Sequence, residues 1–587
     1  MLLARIDWIL IASYFAVSLL IGVAVSKRAG KNTSEFFVAG RKMPWWILGV
    51  SMVATTFSTD TPNLVTDIVR RHGVTGNWLW WAFLLTGMLT VFVYAKLWKR
   101  SGVLTDIEFY ELRYSGKTAA FLRGFRAVYL GFFFNVVIMA SVSLAAIKIG
   151  GVLLGLSPIQ TILIAGLITV IYSSLGGLRG VLITDLIQFS MAIIGGISAA
   201  IVVLNLPEVG GLKGLFSNQL VSSRLNILPD FSNPSEALAI FFIPIMVQWW
   251  SVWYPGAEPG GGGYIAQRML AAKNENHSIG AVFLFNAAHY ALRPWPWIIV
   301  ALASLIVFPE LDDLRRAFPN ASGIVNHDLG YPAMLTFLPV GLLGLVVTSL
   351  IAAYMSTIST HLNWGASYLV NDVYRRFYRP NSSEKELVLM GRLATVILMV
   401  FAGMLALWLE NALQSFQIML QIGAGTGLLF ILRWFWWRIN ALSEIAAMVI
   451  SFLVAIYFRF IHTSLGFTSL TGWQELTIGV GITTVGWLTV TLLSKQTDEA
   501  VLIDFIKKIR PGGPGWSRIS RKIPEMRDEE IPWSVPRGIL LMVLGCVAIY
   551  SLLLATGYWL YGNTLLGSIL TLSFLISSFF LIRVWTK

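Results

Sequence analysis

A run of hydroxyl side chains, one acid and a proline interrupts an apolar stretch near the amino terminus. Between Ala54 and Pro62 the chain carries five hydroxyl residues and Asp60. Proline removes a backbone hydrogen bond and its ring clashes with the preceding turn, so a helix cannot pass undisturbed through Pro62. Carbonyl groups released at such a break can bind a small hard cation such as sodium. The segment therefore predicts a broken helix with cation-binding oxygens.

A second interruption lies farther along the chain. The residues from Trp253 to Pro259 include two prolines and Glu258, and four glycines follow at 260–263. No regular helix survives that composition. The two interruptions fall in the second and seventh apolar spans, and inverted-repeat transporters place a discontinuous helix at the same point in each half. The alternative is two proline kinks that neighbouring helices relieve.

Two further features place oxygen atoms at membrane depth. Asp185 lies in the sixth span, where a carboxylate is costly and by default suggests function; alternatively, it lies in the interface or pairs with a basic loop residue. The ninth span carries hydroxyl side chains spaced to face one side of a helix. They are Ser356, Thr357, Ser359 and Thr360. Hydroxyl oxygens suit sodium, although the same stripe also serves ordinary helix packing in membranes.

The amino-acid composition predicts the helices that position these residues. The 587 residues are 56% hydrophobic and only 12% charged, whereas a soluble domain carries about 25% charged residues. Long apolar runs recur, and in lipid their backbone groups must be satisfied within the segment, which requires helices. We therefore predict an all-α polytopic membrane protein with about fifteen transmembrane helices. They cover Asp7–Ser26, Met43–Val69, Val74–Leu97, Ala127–Leu153, Ile159–Leu175, Val181–Leu204, Ala237–Tyr254, Ile279–Phe308, Ala333–Val370, Leu387–Leu409, Ala412–Trp437, Ala441–Phe458, Leu476–Leu493, Gly538–Trp559 and Leu565–Ile582.

The basic residues indicate the orientation of these helices. With the N-terminus outside, the inner loops hold most of the lysines and arginines, among them Lys27, Arg28, Arg375 and Arg376. This asymmetry follows the positive-inside rule, and it predicts a cytoplasmic C-terminus in the plasma (inner) membrane. The same loops account for the net charge of +13, so no nucleic-acid partner is expected.

Several short stretches together resemble the sodium:solute symporter family, which includes sodium-coupled sugar, proline and sialic acid transporters. The stretches are Phe36–Arg41, Gly176–Val181, Thr184–Gln188, Tyr264–Arg268 and Asn371–Tyr374. The resemblance implies the leucine-transporter fold, a five-plus-five inverted repeat with one extra N-terminal helix and, here, additional C-terminal helices. It divides the chain into an N-terminal helix and loop (1–42), two repeats (43–204 and 205–440), additional helices (441–494), a cytoplasmic connector (495–536) and a C-terminal hairpin (537–587).

The resemblance also implies two ion sites. The principal sodium site would use the carbonyls of Ala54, Phe57 and Ala353 with the hydroxyls of Ser356 and Thr357. A second sodium site would use Asp185, Ser356, Ser359 and Thr360.

The solute site departs from the sugar carriers, because aromatic residues around Trp80 stand where those carriers place a glutamate. Aromatic faces fit sugars by stacking and cations by their quadrupole, although the tryptophans could equally be packing residues. Arg293 could pair with Glu258 rather than touch solute. The candidate solute contacts are Asp60, Thr61, Trp80, Gln248, Trp253, Tyr254, Glu258 and His289.

These features predict a secondary transporter that couples sodium to import of a small polar organic solute, such as a sugar, amino acid or carboxylate, by alternating access. Sodium would be the coupling ion, with no other cofactor. A proton-coupled carrier of the same fold and a membrane-embedded solute sensor are the alternatives. An enzyme is not expected, since the six histidines are scattered without metal-binding spacing.

Overall fold

The computed structural model describes residues 3–410, 412–523 and 533–586. Within these ranges the chain consists of helices and loops, with two isolated β-bridges. Part of the predicted connector, residues 524–532, lies outside the described residues.

Nineteen helical segments form the body of the described chain. In chain order they are α1 (Arg5–Ala29), α2 (Trp45–Thr56), α3 (Asp60–His72), α4 (Val74–Ser101), α5 (Gly116–Leu154), α6 (Pro158–Ile171), α7 (Gly176–Leu204), α8 (234–251), α9 (Gly263–Ala271), α10 (Glu275–Val307), α11 (Leu342–Tyr378), α12 (Glu384–Ala406), α13 (Ala412–Ile422), α14 (Gly427–Leu432), α15 (Ala441–Ile461), α16 (Gly472–Leu493), α17 (Glu499–Ile509), α18 (Val535–Leu560) and α19 (Thr564–Trp585). Shorter helices in the connections include Thr33–Val38, Phe109–Arg113, Gly211–Ser217, Leu311–Ala317 and Gly330–Leu335.

Eleven helices of the described chain are long and apolar enough to cross a membrane singly. The predicted all-α membrane architecture is thus confirmed. The second, fifth, seventh and eleventh predicted spans are helical but short or broken, so the number of crossings and the inverted repeat stay predictions. The ninth span begins at Leu342 rather than Ala333, because a turn containing Pro339 and Gly341, whose φ is +86°, precedes it.

Helix α11 occupies the centre of the bundle. Nearly every residue from Leu343 to Ser367 is buried, and the helix packs against α1, α2, α5, α7 and α12. By contrast, α1 and α19 present exposed apolar side chains such as Leu20 and Phe579. Because apolar side chains facing outward are stable only against lipid, the polar stripe of α11 faces protein while the periphery faces the bilayer.

The two predicted helix breaks are present. Phe57, with φ −91° and ψ 90°, separates α2 from α3, and residues 252–262 leave the helical conformation between α8 and α9. Gly177, with φ 53°, kinks the chain at the beginning of α7, after α6.

A further break divides the eleventh span, which the sequence predicted to be continuous from Ala412 to Trp437. Gly425, with φ +82°, ends the helical path between α13 and α14. The amide of Gly425 donates to the Ser251 carbonyl at 2.8 Å, and the amide of Trp253 donates to the Gly423 carbonyl at 3.1 Å. The two interrupted segments thus satisfy each other's backbone groups, which membrane depth requires.

The connector after α16 folds back onto the bundle. The Arg113 guanidinium lies over the rings of Phe505 in α17 and Trp516, at 5.3 and 4.8 Å from their centroids. The indole N–H of Trp516 donates to the Trp434 carbonyl just after α14 at 2.8 Å. The part of the connector that contains Phe505 and Trp516 therefore packs against the bundle beside Arg113 and Trp434.

Candidate ion and solute site

The break between α2 and α3 redirects two backbone amides. In a continuous helix, the amides of Ser58 and Thr61 would bond the carbonyls of Ala54 and Phe57. Instead, the Ser58 amide donates to Thr61 Oγ1 at 3.2 Å, and the Thr61 amide donates to the Ser58 carbonyl at 3.1 Å. The carbonyls of Ala54 and Phe57 thereby lose their helical donors and can serve a cation.

Helix α11 crosses directly over this break. Thr357 Oγ1 donates to the Thr55 carbonyl at 2.8 Å, and Thr59 Oγ1 donates to the Leu350 carbonyl at 3.1 Å. Ala353 lies on α11 between these two contacts, one turn from each, so it is level with the break. The structure thus brings the predicted first-site residues of α2 and α11 together in a buried region.

Asp185 on α7 joins the same region. Ser356 Oγ donates to Asp185 Oδ1 at 2.6 Å, and the Ser51 hydroxyl donates to Oδ2. Asp185 is fully buried and lies between helices, so it is not an interface residue. Ser359 differs from the other predicted second-site residues, because its hydroxyl donates to the Ser356 carbonyl of its own helix at 3.1 Å.

A guanidinium also contacts the second predicted ion site, at Thr360. Arg268 on α9 is fully buried, and its Nη2 donates to Thr360 Oγ1 at 2.7 Å. Its Nε and Nη2 both lie 3.3 Å from Ser51 Oγ, while Nη1 donates to Gln267 Oε1 at 2.9 Å. An arginine remains charged in proteins. The residue lies in a stretch that carried the family resemblance, but its contact with Thr360 depends on the folding of α9 onto α11.

A cavity of about 120 Å³ lies beside the first break. Thr357 and both Thr55 and Thr56 contribute to its wall, so the cavity is continuous with the predicted first sodium site. Five of the eight predicted solute contacts line it, namely Asp60, Thr61, Trp80, Tyr254 and His289. Five more ring residues of the wall were not predicted: Phe83, Tyr264, Tyr290, His361 and Phe416.

The other three predicted solute contacts lie outside the wall of this cavity. Gln248 donates to the Leu79 carbonyl at 2.7 Å and lines a separate cavity of about 390 Å³. The Trp253 ring packs edge-on against Phe134, with centroids 5.2 Å apart. Glu258 is buried in the loop between α8 and α9, where it accepts from the Gly256 amide at 3.1 Å.

Arg293 contacts α2 rather than Glu258. Its Nη1 donates to the Val53 carbonyl at 2.9 Å, and its Nη2 lies 3.4 Å from the Thr56 carbonyl. Nη2 also contacts His289 Nδ1. Because a guanidinium only donates, Nδ1 must accept, and the neutral imidazole carries its proton on Nε2. Arg293 thereby holds the end of α2 and orients His289 on the cavity wall.

Broken helices that face an oxygen-bearing, continuous helix beside a small enclosed cavity define a secondary transporter of the helical membrane type.

The chain belongs to the sodium:solute symporter family, whose model matches residues 36–451. It is 27% identical to the sodium/glucose cotransporter of Vibrio parahaemolyticus, over 79% of this chain and 87% of that protein. It is 23% identical to the sodium/sialic acid symporter of Proteus mirabilis, over 78% of this chain and 90% of that protein. A solved sodium-coupled sialic acid symporter, substrate-bound and outward-open, superposes with a TM-score of 0.64 at 20% identity, covering 84% of this chain and 99% of that one.

The predicted family, fold class and sodium coupling are confirmed by these similarities. The protein is an integral membrane transporter that uses sodium as its coupling ion, and it is not an enzyme.

Proposed function

We propose that this protein imports a small polar organic solute together with one sodium ion, which binds the carbonyls of Ala54, Phe57 and Ala353 and the hydroxyls of Ser356 and Thr357. The proposal depends on the position of Thr357. Its hydroxyl bonds the broken backbone of α2 at Thr55, and the same residue lines the solute cavity. One side chain thus contacts both the ion site and the solute site.

Shared contacts provide a physical route to coupling. A sodium ion between α2 and α11 would fix the break in one geometry, and that geometry forms part of the cavity wall. Sodium and solute would then favour each other's binding, as symport requires. Each positive charge that moves inward gains about 2.3 kcal/mol per 100 mV of membrane potential. Alternating access would follow from rearrangement at the breaks, where the backbone lacks regular helical bonds.

At the second predicted sodium site, we propose a cation other than sodium. The Arg268 guanidinium bonds Thr360 and is linked to Asp185 through the Ser51 hydroxyl, and Ser359 bonds its own helix. We infer that the fixed cation takes the place of a second sodium ion. The relatives' names include sodium-coupled glucose and sialic acid carriers, which supports a small organic solute here.

The first sodium site can be tested by removing one oxygen ligand. Thr357→Ala should raise the sodium half-saturation of uptake into proteoliposomes roughly tenfold or more, because a lost ligand to a charged group costs about 1.5–3 kcal/mol. Thr348→Ala is the matched control, since Thr348 is a buried hydroxyl of the same helix that bonds only the Gly344 carbonyl in the structure. Uptake independent of sodium, or equal sodium half-saturation in both variants, would contradict the proposal.

We also propose that the N-terminus faces outside and the C-terminus faces the cytoplasm of a plasma membrane, with residues 43–204 and 205–440 forming the two repeats. The basic loops and the breaks at α2–α3 and 252–262 support this arrangement. Cys546 is the only cysteine; in a Cys546→Ala background, Ser232→Cys should react with an impermeant thiol reagent added outside intact cells. Asn381→Cys, equally exposed, should react only after permeabilisation.

A further inference from the structure

One carboxylate in the solute cavity has no cationic partner among the described residues. Asp60 begins α3, is partly exposed to the cavity and lines its wall. Among the residues that the structure describes, no lysine, arginine or histidine nitrogen forms an ion pair with it. The positive end of the α3 dipole favours the ionised form. An ionised carboxylate in a site that closes around its ligand is costly unless the ligand supplies a positive charge.

The two arginines near the cavity, Arg293 and Arg268, bind other groups of the protein. Arg293 donates to the carbonyls of Val53 and Thr56, and its guanidinium lies 5.6 and 5.4 Å from the ring centroids of Phe57 and Trp297. Arg268 bonds the hydroxyl groups beside Asp185. Neither arginine lines the cavity.

Aromatic rings form much of the remaining wall. Phe83 stacks on Tyr254 with centroids 5.7 Å apart, and Phe416 meets Tyr254 edge-on at 5.1 Å. On another part of the wall, Trp80 stacks on Tyr290 at 5.9 Å. Rings packed against each other in this way are held in place, and their π faces attract a cation most strongly where water is excluded.

The size and charge of the cavity further restrict the class of ligand that can bind. Its volume of about 120 Å³ is well below the roughly 300–1,000 Å³ of pockets that hold drug-sized ligands. Within the described lining there is no lysine or arginine that could receive a solute carboxylate. A compact cation therefore matches the size and charge of this cavity better than an acid or a large sugar.

We propose that the co-transported solute is a compact organic cation, whose positively charged nitrogen lies against Asp60 and whose carbon groups contact Trp80, Tyr254 and Tyr290. This inference rests on the proposed symport function and names the solute class for the same cavity. Each transport cycle would then carry two positive charges, one on sodium and one on the solute.

The test compares a cation with its uncharged isostere. Purified full-length protein is titrated with choline, with 3,3-dimethylbutan-1-ol, in which carbon replaces the charged nitrogen, and with glucose, in sodium or potassium buffer. Thermal shift gives the affinities. The variant Asp60→Asn removes the carboxylate charge, and Asp312→Asn is the control because Asp312 is exposed in the short helix Leu311–Ala317 and pairs with Arg315, away from the cavity. Ethanolamine is run in parallel to separate a primary amine from a quaternary one.

We expect choline or ethanolamine to bind the wild-type protein at least tenfold more tightly than the neutral alcohol. Asp60→Asn should abolish that preference, and Asp312→Asn should retain it. If Asp60→Asn does not fold, the comparison of choline with its uncharged isostere in the wild-type protein still tests the inference.

Two outcomes separate this inference from the symport proposal. Sodium-dependent binding of glucose or the neutral alcohol, with no preference for either cation, overturns the inference and leaves symport intact. Preferential cation binding that is identical in sodium and potassium supports the inference and contradicts the proposed coupling.

Discussion

At the scale of single residues, the placement of charge determines what the two ion sites can hold. Asp185 receives two hydroxyl hydrogen bonds and lies in one network with the fully buried Arg268. The first site has carbonyl and hydroxyl oxygens but no fixed cation among its predicted ligands. We therefore expect a mobile sodium ion at the first site, and we expect charge repulsion from Arg268 to disfavour a sodium ion at the second.

Replacing Arg268 should change the sodium stoichiometry. In Arg268→Met the carboxylate of Asp185 loses its fixed counter-charge, so a second sodium ion can enter, and the Hill coefficient for sodium in uptake should rise from about 1 toward 2. Arg268→Lys keeps the charge and should retain the lower value. Arg315→Met, at an exposed position, is the control. An active Arg268→Met variant with an unchanged Hill coefficient would show that the guanidinium does not substitute for sodium.

His327 should make the loop between α10 and α11 sensitive to acid. Burial, and then the charges of Arg70, Arg71 and Arg224, lowers the pKa of His327 to about 4, below the ordinary value of about 6.5. Between those two values the unfolded chain binds more protons than the folded one, so stability falls as pH falls from about 6.5 toward 4.

The variant His327→Gln should flatten the dependence of the melting temperature on pH in that window. Arg70 Nε, which donates to His327 Nδ1 at 3.3 Å, can still donate to the glutamine oxygen. His462→Gln, in the loop after α15, is the control and should follow the wild-type curve. A wild-type slope in His327→Gln would assign the pH dependence to other groups.

At the scale of secondary-structure elements, the breaks between helices contribute more to the ion and solute site than the regular helices do. The α2–α3 break and the 252–262 break follow from prolines and glycines, so local chemistry was enough to predict them. The break at Gly425 was not predicted, because the three glycines at 423, 425 and 427 weaken a helix but do not by themselves specify that it ends there. Its conformation depends instead on pairing with Ser251, a contact between segments far apart in the chain.

Gly425→Ala should destabilise the protein more than an equivalent change elsewhere. A Cβ at Gly425 would lie 2.5 Å from the Thr483 Cβ, in addition to the strain of φ +82°. Gly466 has φ +84° but open space around it, so Gly466→Ala measures the conformational strain alone, about 1–2 kcal/mol. We expect a clearly lower melting temperature for Gly425→Ala than for Gly466→Ala. Equal melting temperatures would mean that the segment shifts without cost.

At the scale of the whole molecule, the fold class was predictable and the cavity wall was only partly so. Apolar run length and basic loops specify a helical membrane protein, whereas Tyr290 and Phe416 reach the cavity from α10 and α13 with no local signal in the sequence. Gln248 and Glu258 illustrate the opposite error. Both are polar residues near a break, but their helix and loop turn them toward other partners.

The docked connector has a consequence for following the transport cycle. Arg100 on α4 bonds Glu275 on α10 at 2.9 Å and the Ile509 carbonyl of α17 at 3.4 Å, and the amide of Trp437 donates to the Gly515 carbonyl at 3.2 Å. These bonds join elements that are distant in sequence into one fastened unit. Spin labels or fluorophores placed on that unit would define an internal reference frame, against which displacement of any other helix could be measured in a working molecule.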